Sequence, residues 1–156
     1  MTIALSTPVT GGAQTGFTAP TYTISADIAA DLNGKQWAVT ALGGTQTGVT
    51  THSQSSPFTW SYYRAKFFKV LGKANPITGI INNVPKNTHK IFTRKGVTPA
   101  VNQPVQIATI ASEINIPAGA DVYDQANLRA MLSLHIGALN QLSAAMGDTV
   151  VTGLLG

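Results

Sequence analysis

The chain has no cysteine among its 156 residues. That excludes disulfides, thiolate catalysis and cysteine-ligated zinc, and it fits a reducing compartment. No apolar run reaches the roughly 18 to 20 residues that span a bilayer. The N-terminal "MTIALSTPVTGG" lacks the basic start and apolar core of a secretory signal. The expectation is a soluble protein made inside the cell, with no membrane partner. Catalytic signatures are missing too. There is no GxSxG, no phosphate-binding GxxxxGK[ST], and no GxGxxG following a strand. His52, His89 and His135 are scattered without HxxxH spacing, so no metal site, cofactor or enzymatic activity is expected. His135 reads most simply as a packed or hydrogen-bonded core histidine.

Charge is scarce as well, at 10% of residues, against about a quarter in an average domain. A surface so poor in charge does not all stay in water, and contacts between copies are the ordinary way to cover it. The six acids avoid one region altogether: none lies between Asp31 and Glu113. That window holds Lys35, Arg64, Lys66, Lys69, Lys73, Lys86, Lys90, Arg94 and Lys95, nine of the ten basic residues. A one-signed potential of this kind attracts polyanions. A solvated basic face without a partner is the plain alternative.

Hydrophobic residues make up 44% of the chain, enough for a folded unit, and the length fits one domain, residues 1–156. "TYTISADIAADLNGKQWAVTALGG" predicts a hairpin with strands near Tyr22–Leu32 and Gln36–Leu42. Asn33-Gly34 would form a two-residue type I′ turn, which needs positive φ at both positions. After a polar loop, Gly43–Pro57, a strand is expected over Phe58–Leu71. Two more follow at Thr88–Val97 and Val105–Ile116, the last ended by Pro117. A helix capped by Asp121 or Asp124 then carries Leu128, Met131, Leu132, His135, Leu139, Leu142 and Met146 on one stripe, with Gly147 as the stop. A second short helical piece is expected within Asp148–Leu155. Strands followed by helix argue an α+β fold with an antiparallel sheet. One helix covers only part of such a sheet.

Side chains alternate across a strand. On the expected Phe58–Leu71 strand, Trp60, Tyr62, Arg64 and Lys66 share a face. On the next strand Lys90, Phe92 and Arg94 do. Cations for phosphates beside aromatics for unpaired bases is how single-stranded RNA is held. The competing reading keeps the aromatics in the core and lets the cations snorkel at a sheet edge.

From Glu113 onward, "EINIPAGADVYDQANLRAMLSLHIGALNQLSAAMGDTVVTGLLG" resembles the C-terminal region of coat proteins from single-stranded RNA bacteriophages, in which the last strand ends in Pro and leads straight into a helix. The resemblance implies an N-terminal hairpin, an antiparallel sheet of about five strands and C-terminal helices. It implies an interlocked homodimer, each helix lying over the partner's sheet, with Leu128, Met131, Leu132, His135, Leu139 and Leu142 at the interface. Dimers would build an icosahedral shell in the host cytoplasm, as part of the virion. The inner sheet face would meet the RNA genome. It implies RNA contacts at Thr109, Ala111 and Glu113, with Ile110, Ile114 and Ile116 facing the helices. Thr109 and Ala111 stand where some members read an operator hairpin with Tyr and Asn, so that readout is not carried over. An RNA-binding regulator that forms no shell is the alternative expectation.

Overall fold

The computed structural model describes residues 2–155 of the chain. One six-stranded sheet runs in sequence order, every neighbour antiparallel. Its strands are β1 (Val9–Thr10), β2 (Thr18–Asp27), β3 (Gly34–Thr45), β4 (Phe58–Tyr63), β5 (Lys86–Val97) and β6 (Gln106–Pro117). Three helices follow: α1 (Ala120–Tyr123), α2 (Gln125–Gln141) and α3 (Ser143–Thr152). The α+β order and the antiparallel sheet are as expected. The two-residue β1 makes the strand count six rather than five.

Several boundaries differ from the sequence reading. The β2–β3 connection spans residues 28–33, and Gly34 already pairs with Tyr63. Neither Asn33 nor Gly34 has positive φ, so the type I′ turn does not form. The loop closes instead through Gly34 N donating to Asp31 O, 3.0 Å. Strand β4 stops at Tyr63 rather than Leu71. Had it continued in register, Arg64 and Lys66 would have joined Trp60 and Tyr62 on an aromatic face, where unpaired charge is costly. An irregular segment runs past Lys86–His89 in its place, tied by a side chain. Lys69 N donates to Asn87 Oδ1 at 2.8 Å, and Asn87 Nδ2 donates to Lys69 O at 3.0 Å.

The helical region divides earlier than expected. A break falls at Leu142, Gly147 lies inside α3, and the stop is Gly153, whose φ of 73° suits a left-handed cap. Asp124 stands at the N-cap of α2 but caps no backbone group; its carboxylate accepts from Asn127 Nδ2. Asp121 sits in the first turn of α1 without capping it. Helix α1 contacts β6. Helix α3 is tied to the β1–β2 loop, where Gln14 Nε2 donates to Ser143 O at 2.8 Å and Thr15 Oγ1 to Asp148 Oδ2 at 2.9 Å. Between those anchors α2 buries no residue. Leu128 and Leu132 are half-buried, while Met131, His135, Leu139 and Leu142 are exposed. His135 is therefore not a core histidine within this chain. Leu134 and Ile136, outside the expected stripe, are exposed too, so α2 is apolar on more than one side. Large apolar side chains left exposed on more than one side call for cover from outside the chain.

Candidate nucleic-acid interface

The register sorts the sheet's side chains into two faces, because directly paired residues point the same way. Three rows build one face: Ala38, Thr59, Arg94 and Thr109; then Gln36, Ser61, Phe92 and Ala111; then Gly34, Tyr63, Lys90 and Glu113. The opposite face carries Trp37, Trp60, Thr93 and Ile110 in one row, with Lys35, Tyr62, Ile91 and Ser112 in the next.

The first face is polar and internally bonded. Thr59 and Ser61 are 1% and 2% exposed. Gln36 Oε1 accepts from Ser61 Oγ and from Arg94 Nη2, both at 3.0 Å, while Arg94 Nε donates to Thr59 Oγ1 at 3.2 Å. Gln36 Nε2 donates to Asp27 Oδ2 at 2.6 Å, and that bond leads the causes holding the Asp27 carboxyl below its ordinary value. Burying these hydroxyl and amide groups is tolerable because they are paired. The arrangement fixes Arg94 in the middle of the face. In the next row but one, Lys90 Nζ lies 2.7 Å from Glu113 Oε1, both half-exposed, a pair of small energetic weight.

The second face is aromatic. Trp37 and Trp60 lie 5.5 Å apart between ring centroids, Tyr22 and Phe58 5.6 Å, and Tyr62 and His89 5.9 Å. Tyr62 Oη and His89 Nδ1 are 2.9 Å apart, and burial raises the phenol's pKa and lowers the imidazole's. Lys95 stands 4.8 Å from the Phe58 ring centroid and donates to Thr50 O and Oγ1; burial lowers its pKa.

These faces correct one grouping. Trp60 and Tyr62 are on the aromatic side, opposite Lys90 and Arg94, and do not share a surface with them. Arg64 and Lys66 leave the strand altogether. With Lys69, Lys86 and Lys90 they line an open cleft of about 540 Å³ beside Tyr63 and Phe92, with Asp31 and Asn33 also on its wall. Tyr63 and Phe92 meet edge to face, centroids 6.1 Å apart, and the Arg64 guanidinium lies 5.7 Å from the Phe68 ring centroid. Five cations thus converge on the polar side of the sheet. Thr109, Ala111 and Glu113 share that side, as expected, and Ile110 and Ile114 take the other. Lys69, Lys86 and Tyr63 line this cleft although the sequence reading did not group them with the other cations; Phe92 it had grouped with Lys90. The acid-free window already contained them; strand alternation, applied to a strand that ends early, put Lys69 and Tyr63 on the face opposite Arg64 and Lys66.

A sheet with one bonded polar face, one aromatic face and helices without a fully buried residue describes a subunit completed by other copies of itself. The comparisons agree. The chain is similar to the protein in a solved virus-like particle of bacteriophage ESE020, at 56% identity over 99% of this chain and 100% of that one, with a TM-score of 0.96. Two further solved particles are more distant. That of Wenzhou levi-like virus 4 has 15% identity over 84% of this chain and 74% of that one, TM-score 0.48. That of Beihai levi-like virus 32 has 15% identity over 92% and 91%, TM-score 0.43. No protein-family model and no curated protein matches the chain. On the ESE020 similarity, the chain belongs to the coat proteins of single-stranded RNA bacteriophages. Its role is structural.

Proposed function

We propose that the chain, acting as a single domain, forms an interlocked homodimer, that dimers close into an icosahedral virion shell in the host cytoplasm, and that the polar sheet face packages single-stranded RNA. The observation carrying the RNA reading is the convergence of Arg64, Lys66, Lys69, Lys86 and Lys90 in one cleft beside two aromatic rings. Cations there take phosphates, and Tyr63 and Phe92 offer ring faces to unpaired bases. Arg94, held by Gln36 and Thr59, extends the positive surface toward Thr109. Trp60 and Tyr62 then lie under helices instead of against RNA.

The dimer reading rests on what is left uncovered. Strand β6 pairs with β5 on one side and forms the edge of the sheet on the other. It is 12 residues long with Glu113 as its one charge, and such an edge is a ready template for a second chain. Ile110 is 69% exposed on the aromatic face, and Leu134 and Ile136 protrude from α2. Covering side chains of this kind contributes about 1.5–3 kcal/mol each. A partner's helices laid over the aromatic face supply that cover.

Replacing Arg64 and Lys66 together by Glu tests the RNA face. Particles should still assemble but carry much less RNA, read from their absorbance ratio and from extracted nucleic acid. RNA content equal to the parent's overturns the assignment. Binding of single-stranded RNA by disassembled protein should also fall steeply with salt, because neutralised phosphates release counterions.

A further inference from the structure

We propose a second, heterologous contact in which the loop tip around Ile77 of one copy seats in an apolar groove beside Leu32 of a copy in a neighbouring dimer. This rests on the shell-forming reading, and it concerns a surface centred on Leu32, which shares Asp31 with the rim of the RNA cleft and Trp37 with the aromatic face. A two-fold dimer contact is self-complementary and stops at two copies. A closed shell needs at least one more contact, and a head-to-tail one closes into rings around symmetry axes.

The knob is built for exposure. Between Lys73 and Lys86 the chain has no charge, and Ile77 is 92% exposed. The loop does not rely on packing for its shape. Asn75 Oδ1 accepts from Ile77 N at 2.8 Å and Thr78 N at 3.3 Å, Asn75 N donates to Ile80 O, and Gly79 N donates to Asn75 O. Gly79, at φ 70°, supplies the left-handed turn that this closure needs. A pre-shaped loop loses little further entropy when it docks. Presenting a large apolar side chain on such a support makes sense for a contact.

The groove, about 520 Å³, runs between the N-terminal segment and the β2–β3 loop. Its apolar wall includes Ile3, Leu5, Ile28, Leu32 and Trp37, and Leu32 stands wholly in solvent at 103%. Asp27 and Asp31 lie on the same wall, with Lys35 as the one base among its lining residues. They are the last acids before the acid-free window, whereas the knob is flanked by Lys73. Apolar tip to apolar groove and Lys73 toward Asp27 and Asp31 is therefore complementary in both hydrophobicity and charge, and it commits the groove to the loop of another copy.

The absence of native cysteine makes the test direct. Particles assembled from an Ile77→Cys, Leu32→Cys double variant should, on oxidation, give a ladder of linked subunits on a non-reducing gel, ending at the ring size. Either single variant should give no ladder. Assembled particles of the double variant with no linked species, or with only an internally linked monomer, overturn the proposal. In parallel, Ile77→Asp should leave a folded dimer by circular dichroism and sedimentation while lowering particle yield about tenfold or more, since each contact would bury an unpaired carboxylate. Normal particle yield from Ile77→Asp also overturns it. Failure of the unsubstituted protein to form particles would instead strike the shell reading itself.

Discussion

At the scale of single residues, the two sides of the sheet impose different chemistry on similar side chains. Arg94 is satisfied by Gln36 and Thr59 and positioned by them, while Lys95 next to it along the chain turns to the aromatic face and lies over Phe58. One residue of register separates a guanidinium facing the polar surface from a half-buried ammonium that lies over the Phe58 ring and donates to Thr50. His89 gives a testable consequence. Burial lowers its pKa from the ordinary 6.5. In the window between that lower folded value and 6.5 the unfolded chain holds more protons than the folded one, so stability rises with pH. The stabilisation from keeping the ring neutral is fully present above 6.5 and is lost as pH falls through the folded value. Melting temperature should therefore fall as the pH is lowered from about 8 to about 5, and His89→Gln should flatten that slope. A slope identical in the two proteins would show that His89 is not the group responsible.

The element that most changes the functional reading is the segment after β4. Alternation of aromatic and basic residues from Phe58 onward reads as one strand, yet ladder pairing ends at Tyr63 opposite Lys90. Beyond that point Asn87 supplies with its side-chain amide the two bonds that a ladder would have made with backbone. Freed from the pleat, Arg64, Lys66 and Lys69 all line the cleft. Asn87→Ala should cost about 1–3 kcal/mol, two bonds at a net 0.5–1.5 kcal/mol each, and should raise hydrogen exchange and proteolysis across residues 64–71. It should also weaken RNA binding without removing any cation. Unchanged exchange there would mean the segment holds its course by other means. Strands β5 and β6 were legible in the sequence to within two residues, because both are long and alternate cleanly. The end of β4 was not, since it depends on a residue 18 positions ahead of Lys69.

For the whole molecule, the decisive property is how little one chain covers. Buried apolar residues among those described are Trp37, Ala38, Val39 and Ala118. A core that thin is small for 156 residues, and the missing burial has to come from association. Leu132→Asp places a carboxylate on the half-buried side of α2. It should abolish soluble dimers and particles alike, checked by sedimentation and electron microscopy. A folded, soluble monomer from this variant would sink the interlocked-helix reading, because it would show the chain complete without its partner.

Sequence alone determined the α+β order, the antiparallel sheet, the acid-free basic window and, through Glu113–Gly156, the coat-protein family. Those features rest on local periodicity, composition and motif, which are properties of neighbouring residues. Only the tertiary structure decided which cations lie together. Lys69 and Lys86 meet Lys90 through pairing and a side-chain bridge between distant segments, and Trp60 and Tyr62 part from Lys90 and Arg94 because register sets the face of every residue in a sheet. That register is fixed by contacts far apart in the chain, so alternation within one strand could group residues but could not say which groups share a side.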